Sequence, residues 1–345
     1  MTERFPAGKL PSAFLATLLS QLPADPTLLV PPGVGRDAAA VQLDEQTVLV
    51  LTADPITFAT DEIGWYAVQV NANDVACLGA EPRWFLATVL LPEADATPAL
   101  AQQILADLQA TCAALRITLV GGHTEITVGL PRPIVSGALV GVTTPARLIV
   151  PGRAQPGDVL IVAHGIAIEG TAILARECAS LLEGRVPADL LESARRFLHT
   201  PGISVVAAAR ALTDALGPNV HALHDPTEGG LATGVRELAQ AAGLGATLYA
   251  DAIPIYPETR QICDVLGLDP LGLIASGALL AAVAPEAAPT ALQVLADAGI
   301  PATHIGELTA SPGRYTLVSA QGSVPLPDFP VDELARFFTQ ATGST

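Results

Sequence analysis

Lysine is almost missing: Lys9 is the single one in 345 residues, and 17 basic side chains face 34 acidic ones for a formal net charge of −17. A chain this acidic repels nucleic acid and anionic membrane surfaces, which excludes charge-driven binding to either. A phosphate ligand must instead be held by local devices: backbone N–H groups, a metal ion or a few basic residues, of which Lys9 is one. Cysteine is also scarce. Cys77, Cys112, Cys178 and Cys263 lie far apart with no C-x-x-C pair, which excludes a thiolate zinc site or a disulfide framework and predicts buried, reduced thiols. No stretch reaches the roughly 18 uninterrupted apolar residues of a membrane span. The start, "MTERFPAGKLPSAF", lacks the basic, apolar and small-residue segments of a signal peptide, so a soluble cytoplasmic protein is expected. Nor is there a G-x-S-x-G elbow, a G-x-x-x-x-G-K-[ST] loop or a kinase signature, which leaves the common hydrolase and P-loop readings without support.

What is present is a chain long enough for two domains, each able to bury its own core. Strand-like runs ("TVLVLTA", "RWFLATVLL", "ITLVGG", "PIVSGALVGV") alternate with two helical segments between 47 and 142. The first helix is expected over about 61 to 78, stopped by Gly79 and Pro82. The second opens with Thr97 as cap and Pro98 at the first position, and Ala101, Ile104, Leu105, Leu108, Cys112 and Leu115 form its apolar face. The Pro-, Gly- and Arg-rich stretch "TTPARLIVPGRAQPGD" marks a boundary near 150, giving domains 1–150 and 151–345. The second half reads as a strand ("VLIVA"), an alanine-rich helical region, a helix beginning at "DPTEGG", a strand ("GALLAAV"), a helix ("EAAPTALQVLADAG"), two short strands and a short terminal helix. Both halves are α+β.

Several stretches carry chemistry. In "VNANDVACLGAEP", helix geometry puts Asn71 and Asp74 on one face and Asn73 elsewhere; on its own this reads as a polar face meeting water. Asp54 ends the strand "VLVLTAD" and Asp37 sits in the Gly-rich turn "PPGVGRDAAAV". Carboxylates so placed suit a hard cation such as Mg²⁺, which takes oxygen ligands and carries phosphates with it, although each is also an ordinary turn residue. "GGHTEITVGLP" offers paired glycines, which permit close backbone approach to a ligand, beside His123, Thr124 and Glu125. In "HDPTEGGL", Asp225 as N-cap, Pro226 and Glu228 make a capping arrangement, and a helix start opened by two glycines is also an anion site. A cluster of His221, His224, Asp225 and His123 is a further possibility for a transition metal, without the spacing of a helical two-histidine motif.

In their order these stretches resemble the AIR synthase superfamily, which includes selenophosphate synthetase, thiamine monophosphate kinase and the hydrogenase maturation factor HypE. "GVGRDAAAV" is similar to the family's Gly-Asp-Asp-Ala-Ala loop, "LTAD" to its Thr-Thr-Asp strand end and "VNANDVACLGAEP" to its Asn-Asp-Leu-Ala-x-x-Gly-Ala helix; "GGHTE", "QPGDVLIVA" and "DPTEGGLATGVRELA" follow. HypE-like members fit best, through "AGKLP" and "GIAIEGTAIL". The resemblance implies an N-terminal domain that pairs into a β-barrel across a homodimer, a C-terminal α/β sandwich, and ATP with Mg²⁺ as cofactors, the nucleotide lying between the domains and near the dimer interface. It implies metal contacts from Asp37, Asp54 and Asp74, nucleotide contacts from Lys9, Asn71, Thr227, Gly229 and Gly230, and a phosphate-orienting catalytic role for Asp225; Gly121, Gly122 and Thr124 are expected nucleotide contacts from their glycine stretch, and His123 is expected as catalytic acid or base because an imidazole suits proton transfer. Departures accompany it: Arg36-Asp37 stands where some relatives have Asp-Asp, His123 where several have Asp, and the chain ends "TGST" rather than in HypE's Pro-Arg-Ile-Cys tail. It also lacks selenophosphate synthetase's N-terminal Cys or Sec and the kinase's Glu-Asp-Tyr stretch. The expected function is Mg-ATP-dependent phosphorylation of an amide, acyl or phosphate-bearing acceptor, in cofactor or hydrogenase maturation. The alternatives are a non-catalytic nucleotide-binding assembly factor and a histidine-based metal hydrolase.

Overall fold

The structure is a computed structural model that describes residues 5, 10–57, 59 and 61–342. Lys9 lies outside the described residues. The chain divides into two compact units: Pro26–Pro31 with Asp37–Leu148, and Ile149 onward with Pro32–Arg36 and the described residues before Pro26. No described helix is long and apolar enough to cross a membrane.

The N-terminal unit is built on seven strands: β1 (Leu28–Val30), β2 (Ala39–Gln42), β3 (Val48–Thr52), β4 (Pro55–Ile56), β5 (Glu81–Pro92), β6 (Thr118–Thr127) and β7 (Ile134–Thr143). Their order is β1-β2-β3-β7-β5-β6, with β4 also on β7. The sheet is open, and β6 is an edge strand paired in parallel with β5. Helices Ile63–Cys77 and Pro98–Ala114 pack on one face. The second starts as its sequence predicts, with the Thr97 hydroxyl accepting the Leu100 N–H at 3.2 Å. Its buried stripe is Ile104, Leu108, Thr111 and Cys112; Leu105, expected inside, is exposed, because it stands about 100° round the helix from Ile104 and past the edge of that stripe.

The C-terminal unit contains β8 (Val159–Ala163), β9 (Val220–His224), β10 (Gly245–Tyr249), β11 (Leu279–Val283), β12 (Ala302–Thr309), β13 (Tyr315–Ser319) and β14 (Gly322–Pro325). They form one sheet, β14-β13-β10-β12-β8-β11-β9. Its central strands are apolar on both faces, as a sheet covered on both sides requires. On one face Leu160, Val162, Leu280 and Ala282 join a core with Leu174, Leu191, Leu231, Val235 and Ile262 from four helices. Helices Val206–Leu216 and Ala288–Asp297 pack together and against this sheet. The alanine-rich helical region divides into four α-helices, ending with Val206–Leu216, and three terminal strands stand where two were expected. Helix Glu333–Thr342 follows them. All four cysteines are free and buried, and burial pushes the thiols of Cys112 and Cys178 up to about 11 and that of Cys263 to about 12.

Candidate active site

The two amides and the carboxylate of the first helix do not meet water: Asn71 and Asn73 are 0% exposed and Asp74 3%. Buried polar groups must be hydrogen-bonded, and these are. Asn71 Oδ1 accepts the Asp54 N–H at 3.0 Å, while its Nδ2 donates to the Ala67 carbonyl at 2.8 Å and the Asp54 carbonyl at 3.3 Å. The side chain clasps both backbone groups of Asp54, so its place is behind that residue, as a positioning group. Asp54 is held further by its carbonyl accepting the Gly137 N–H at 3.0 Å.

One helical turn on, Asp74 Oδ2 accepts from the Thr52 hydroxyl at 2.7 Å. That hydroxyl also lies 3.1 Å from the Asp37 carbonyl oxygen. Thr52 thereby ties the glycine loop, the strand end and the helix together through the Asp37 backbone carbonyl and the Asp74 carboxylate, while Asn71 holds the backbone of Asp54 beside them. Sequence reasoning missed Thr52. Its signal was the hydroxyl two positions before Asp54, on the inward side of β3. Glycines make the close packing possible. A Cβ at Gly137 of β7 would stand 2.5 Å from Asn71 Nδ2 and 2.6 Å from the Phe85 ring, and one at Gly141 2.2 Å from Val75.

The "GGHTE" stretch is placed differently from its expectation. It is the interior of β6, not a turn after a strand. The pairing of β5 with β6 shifts register between Phe85 and Leu86, and Gly121 and Gly122 follow that irregularity with φ of +150° and +153°. A Cβ on Gly122 would be 1.8 Å from the Ala87 carbonyl oxygen; its close approach is to the neighbouring strand. Residues directly opposite in a sheet share a face. His123 pairs with Thr88 and Thr88 with Ser136, while Thr52 pairs with the buried Leu139. His123 and Glu125, 3.5 Å apart and exposed, are therefore on the sheet face opposite the Asp54 and Asp74 cluster, and one chain does not bring the predicted catalytic histidine to it. Thr124 is exposed on β6 as well.

In the C-terminal unit Asp225 is buried directly after β9. It does not cap the next helix. That helix is Gly230–Ala241, entered through Gly229 at φ +79° and Gly230 at φ +63°, a left-handed path open to glycine. The Thr227 carbonyl accepts the Gly230 and Ala275 N–H groups. The Gly229 N–H donates to Asp332 Oδ2 at 2.7 Å, and Asp332 Oδ1 accepts the Leu334 N–H at 2.7 Å. Around this turn stand Glu228 and Glu169, the latter hydrogen-bonded to Ser276; burial raises Glu169 to about 7 and Asp332 to about 6. Both residues escaped the sequence reading, although Glu169 is the lone acid in "GIAIEGTAIL".

The histidines of β9 do not share a site. His221 and His224, three apart on a strand, point to opposite faces. His221 Nδ1 is 2.9 Å from the Asp158 carboxylate and His224 Nε2 3.0 Å from Glu237 Oε2. A cluster of the two with His123 is thus excluded by strand alternation.

Comparison with known proteins agrees with these two units. The AIR synthase related protein N-terminal domain matches residues 35–143 and its C-terminal domain residues 155–318. Carbamoyl dehydratase HypE of Rhodobacter capsulatus is 32% identical over 317 residues, 88% of this chain and 89% of its own length. A crystal structure of hydrogenase maturation protein HypE in complex with ATP matches with a TM-score of 0.71 at 26% identity, covering 86% of this chain and 89% of that one. A HypE–HypF complex matches the fold with a TM-score of 0.71 at 22% identity, over 84% and 92%. The chain belongs to the AIR synthase related protein family, two domains of mixed helix and sheet.

Proposed function

We infer that this protein is a homodimeric, Mg-ATP-dependent enzyme of the HypE-like branch. The observation that carries this reading is Thr52, which joins the Asp37 backbone carbonyl to the buried Asp74 carboxylate, beside the Asn71 clasp on the backbone of Asp54. An all-oxygen donor set suits Mg²⁺, which would supply neutralisation of phosphate charge there. Asn71 and Thr52 hold the carboxylates in place before substrate arrives, and such preorganisation is where phosphoryl transfer gains its rate.

The acceptor is an amide-type oxygen, a carbamoyl group in particular, as in the relative named carbamoyl dehydratase. The oxygen attacks the γ-phosphorus of ATP and ADP leaves. Expulsion of phosphate with loss of the amide protons then completes a net dehydration to a nitrile. On the family resemblance Asp225, Thr227, Gly229, Gly230 and Thr124 are proposed nucleotide contacts, as is Lys9, which lies outside the described residues.

Homodimerisation is supported by the outer face of the N-terminal sheet. Leu51, Val140 and Trp84 lie side by side on it, with Leu86 and Ala138 in the next row. Trp84 is 43% and Leu86 41% exposed. An antiparallel sheet facing water on one side carries polar residues there; this patch of the face, across β3, β7 and the start of β5, is apolar instead, and a second copy's sheet laid against it would close a barrel. His123 and Glu125 lie on that same face, next to the seam. A protein partner, as HypE has in its complex with HypF, is part of this reading.

Asp54→Ala and Asp74→Ala should each lower Mg-dependent ATP turnover by at least about a hundredfold while leaving the protein folded, given that loss of one preorganised electrostatic group costs roughly 10²–10³. Turnover retained in either variant overturns the assignment.

A further inference from the structure

At the β10, β13 and β14 end of the C-terminal sheet, hydroxyl side chains gather on the face turned away from helix Gly230–Ala241. Ala246 and Leu248 of β10 and Leu308 of β12 join the core that holds Leu231 and Val235 of that helix. Thr247, between Ala246 and Leu248, therefore faces the other way. Thr316 of β13 pairs directly with Thr247 and shares its side. Glu307 also pairs with Thr247, which puts Thr309, one alternation further along β12, on that face as well. Ser323 of β14 pairs with Val318, one alternation beyond Thr316, and follows. The turn carrying Ser311 and Arg314 closes one end. Its Arg314 N–H donates to the Ser311 carbonyl at 3.1 Å, and the Arg314 carbonyl accepts the Ala246 N–H at 3.0 Å. A Cβ at Gly245 would stand 2.2 Å from the Ser311 carbonyl oxygen, so a glycine there lets the turn fold down onto β10. Thr247, Thr309, Ser311, Arg314, Thr316 and Ser323 together line a hollow of about 270 Å³.

We propose that this hollow binds a small phosphate-bearing ligand, with the Arg314 guanidinium on the phosphate and the surrounding hydroxyls donating to its remaining oxygens. Hydroxyls from four strands and a turn converge with one guanidinium on a single concavity. Among the described residues no carboxylate pairs with Arg314, although the chain carries 34 acidic side chains against 17 basic ones. A guanidinium left over in so acidic a protein is a fixed positive charge for an external anion. Glu307 shares the face but is not part of the lining, and it sets an acidic border to the hollow. The donor arrangement selects phosphate over carboxylate. One guanidinium fork satisfies a planar carboxylate, whereas the oxygens of a tetrahedral phosphate point apart and need donors on several sides. Size restricts the rest of the ligand: the hollow is smaller than the roughly 300–1,000 Å³ of pockets that take drug-sized molecules, so it suits a phosphate on a short body rather than a nucleotide. The site lies across the sheet from helix Gly230–Ala241, and it stands or falls independently of the nucleotide reading.

The test titrates the full chain with inorganic phosphate, glycerol phosphate and acetate at constant ionic strength. Calorimetry reads affinity, and hydrogen exchange of the peptide spanning 309–318 reads location. Both phosphates should bind more tightly than acetate, and exchange across 309–318 should slow when phosphate is added. Arg314→Gln, an exposed position, should weaken phosphate binding by about tenfold or more, as loss of a hydrogen bond to a charged group does, and should abolish the slowing. Thr316→Val keeps the side-chain shape and should weaken it severalfold. Tighter binding of glycerol phosphate than of the free ion assigns the site to a phosphorylated small molecule, and the reverse assigns it to inorganic phosphate; either supports the proposal. Equal phosphate affinity in the wild type and Arg314→Gln overturns it, as does phosphate that binds without slowing exchange at 309–318. Acetate binding as tightly as phosphate, or no phosphate binding up to about 10 mM, overturns it too.

Discussion

Glu169 shows how strongly a single position can depend on its surroundings. It occupies the first turn of helix Ile168–Glu177 and is 8% exposed. Desolvation, and the nearby Asp332 and Glu228 charges, raise it from 4.5 to about 7 against the lowering by its Ser276 hydrogen bond. Between about pH 4.5 and 7 the folded protein therefore holds a proton that the unfolded chain has released. Stability falls as pH rises through that window, by roughly 3 kcal/mol in total from this group. Asp332, raised to about 6, adds to the same trend. Glu169→Gln keeps the shape and removes the charge. The variant should match the wild type near pH 5 and exceed it near pH 8, as read from urea midpoints at the two pH values. An equal shift at both would refute a proton-linked origin.

At the scale of elements, the Asp54 cluster is a property of how helix Ile63–Cys77 beds on β7. Two glycines, Gly137 and Gly141, leave the furrow that takes Asn71 and Val75. Gly137→Ala should cost about 1–3 kcal/mol as an overpacking substitution, and should weaken Mg-ATP binding as well, because the methyl group meets Asn71 Nδ2 directly. Denaturant unfolding together with nucleotide titration checks both. A loss of stability with unchanged binding would mean that Asn71 does not position Asp54. The placement of Asp37 in a loop, Asp54 at a strand end and Asn71 with Asp74 on one helix face was readable in advance, but local pattern alone read that face as meeting water, and only its burial against β7 shows otherwise. Helix Pro98–Ala114 was equally plain, because Thr97 and Pro98 are local signals. Where the decisive contact is distant, pattern fails. "DPTE" carries the signature of a capped helix start, yet the helix begins at Gly230 and the Gly229 amide is satisfied by Asp332. "GG" before His123 looks like a ligand loop, yet it serves a strand irregularity whose reason is the Ala87 carbonyl on β5.

For the whole molecule, the outer face of the N-terminal sheet sets the question of assembly. Along β5, side chains alternate between the helix-covered core, with Phe85, Ala87, Val89 and Leu91 buried, and an outer set of Trp84, Leu86, Thr88 and Leu90. Alternation of this kind normally puts polar groups outward, and the outer Trp84 and Leu86, beside Val140 and Ala138 of β7, depart from that pattern in the way the proposed dimer would explain. The edge strand β6 is exposed over nearly its whole length, and an unprotected edge beside an apolar face would invite indiscriminate pairing. The proposed second copy would resolve both at once: two such sheets, each with β6 at an edge, would cover each other's apolar patch and remove those free edges by closing on one another. Trp84→Glu places a charge on that face where a single chain leaves the side chain partly in water, so the fold should survive while the assembly does not. Light scattering at micromolar concentration should then give a dimer for the wild type and a monomer of unchanged secondary structure for the variant. ATP turnover should fall with the dimer if His123 and Glu125, which share that face, act only in the assembled protein. A variant that stays dimeric, or a wild type that is monomeric, would leave the apolar face to a partner of another kind.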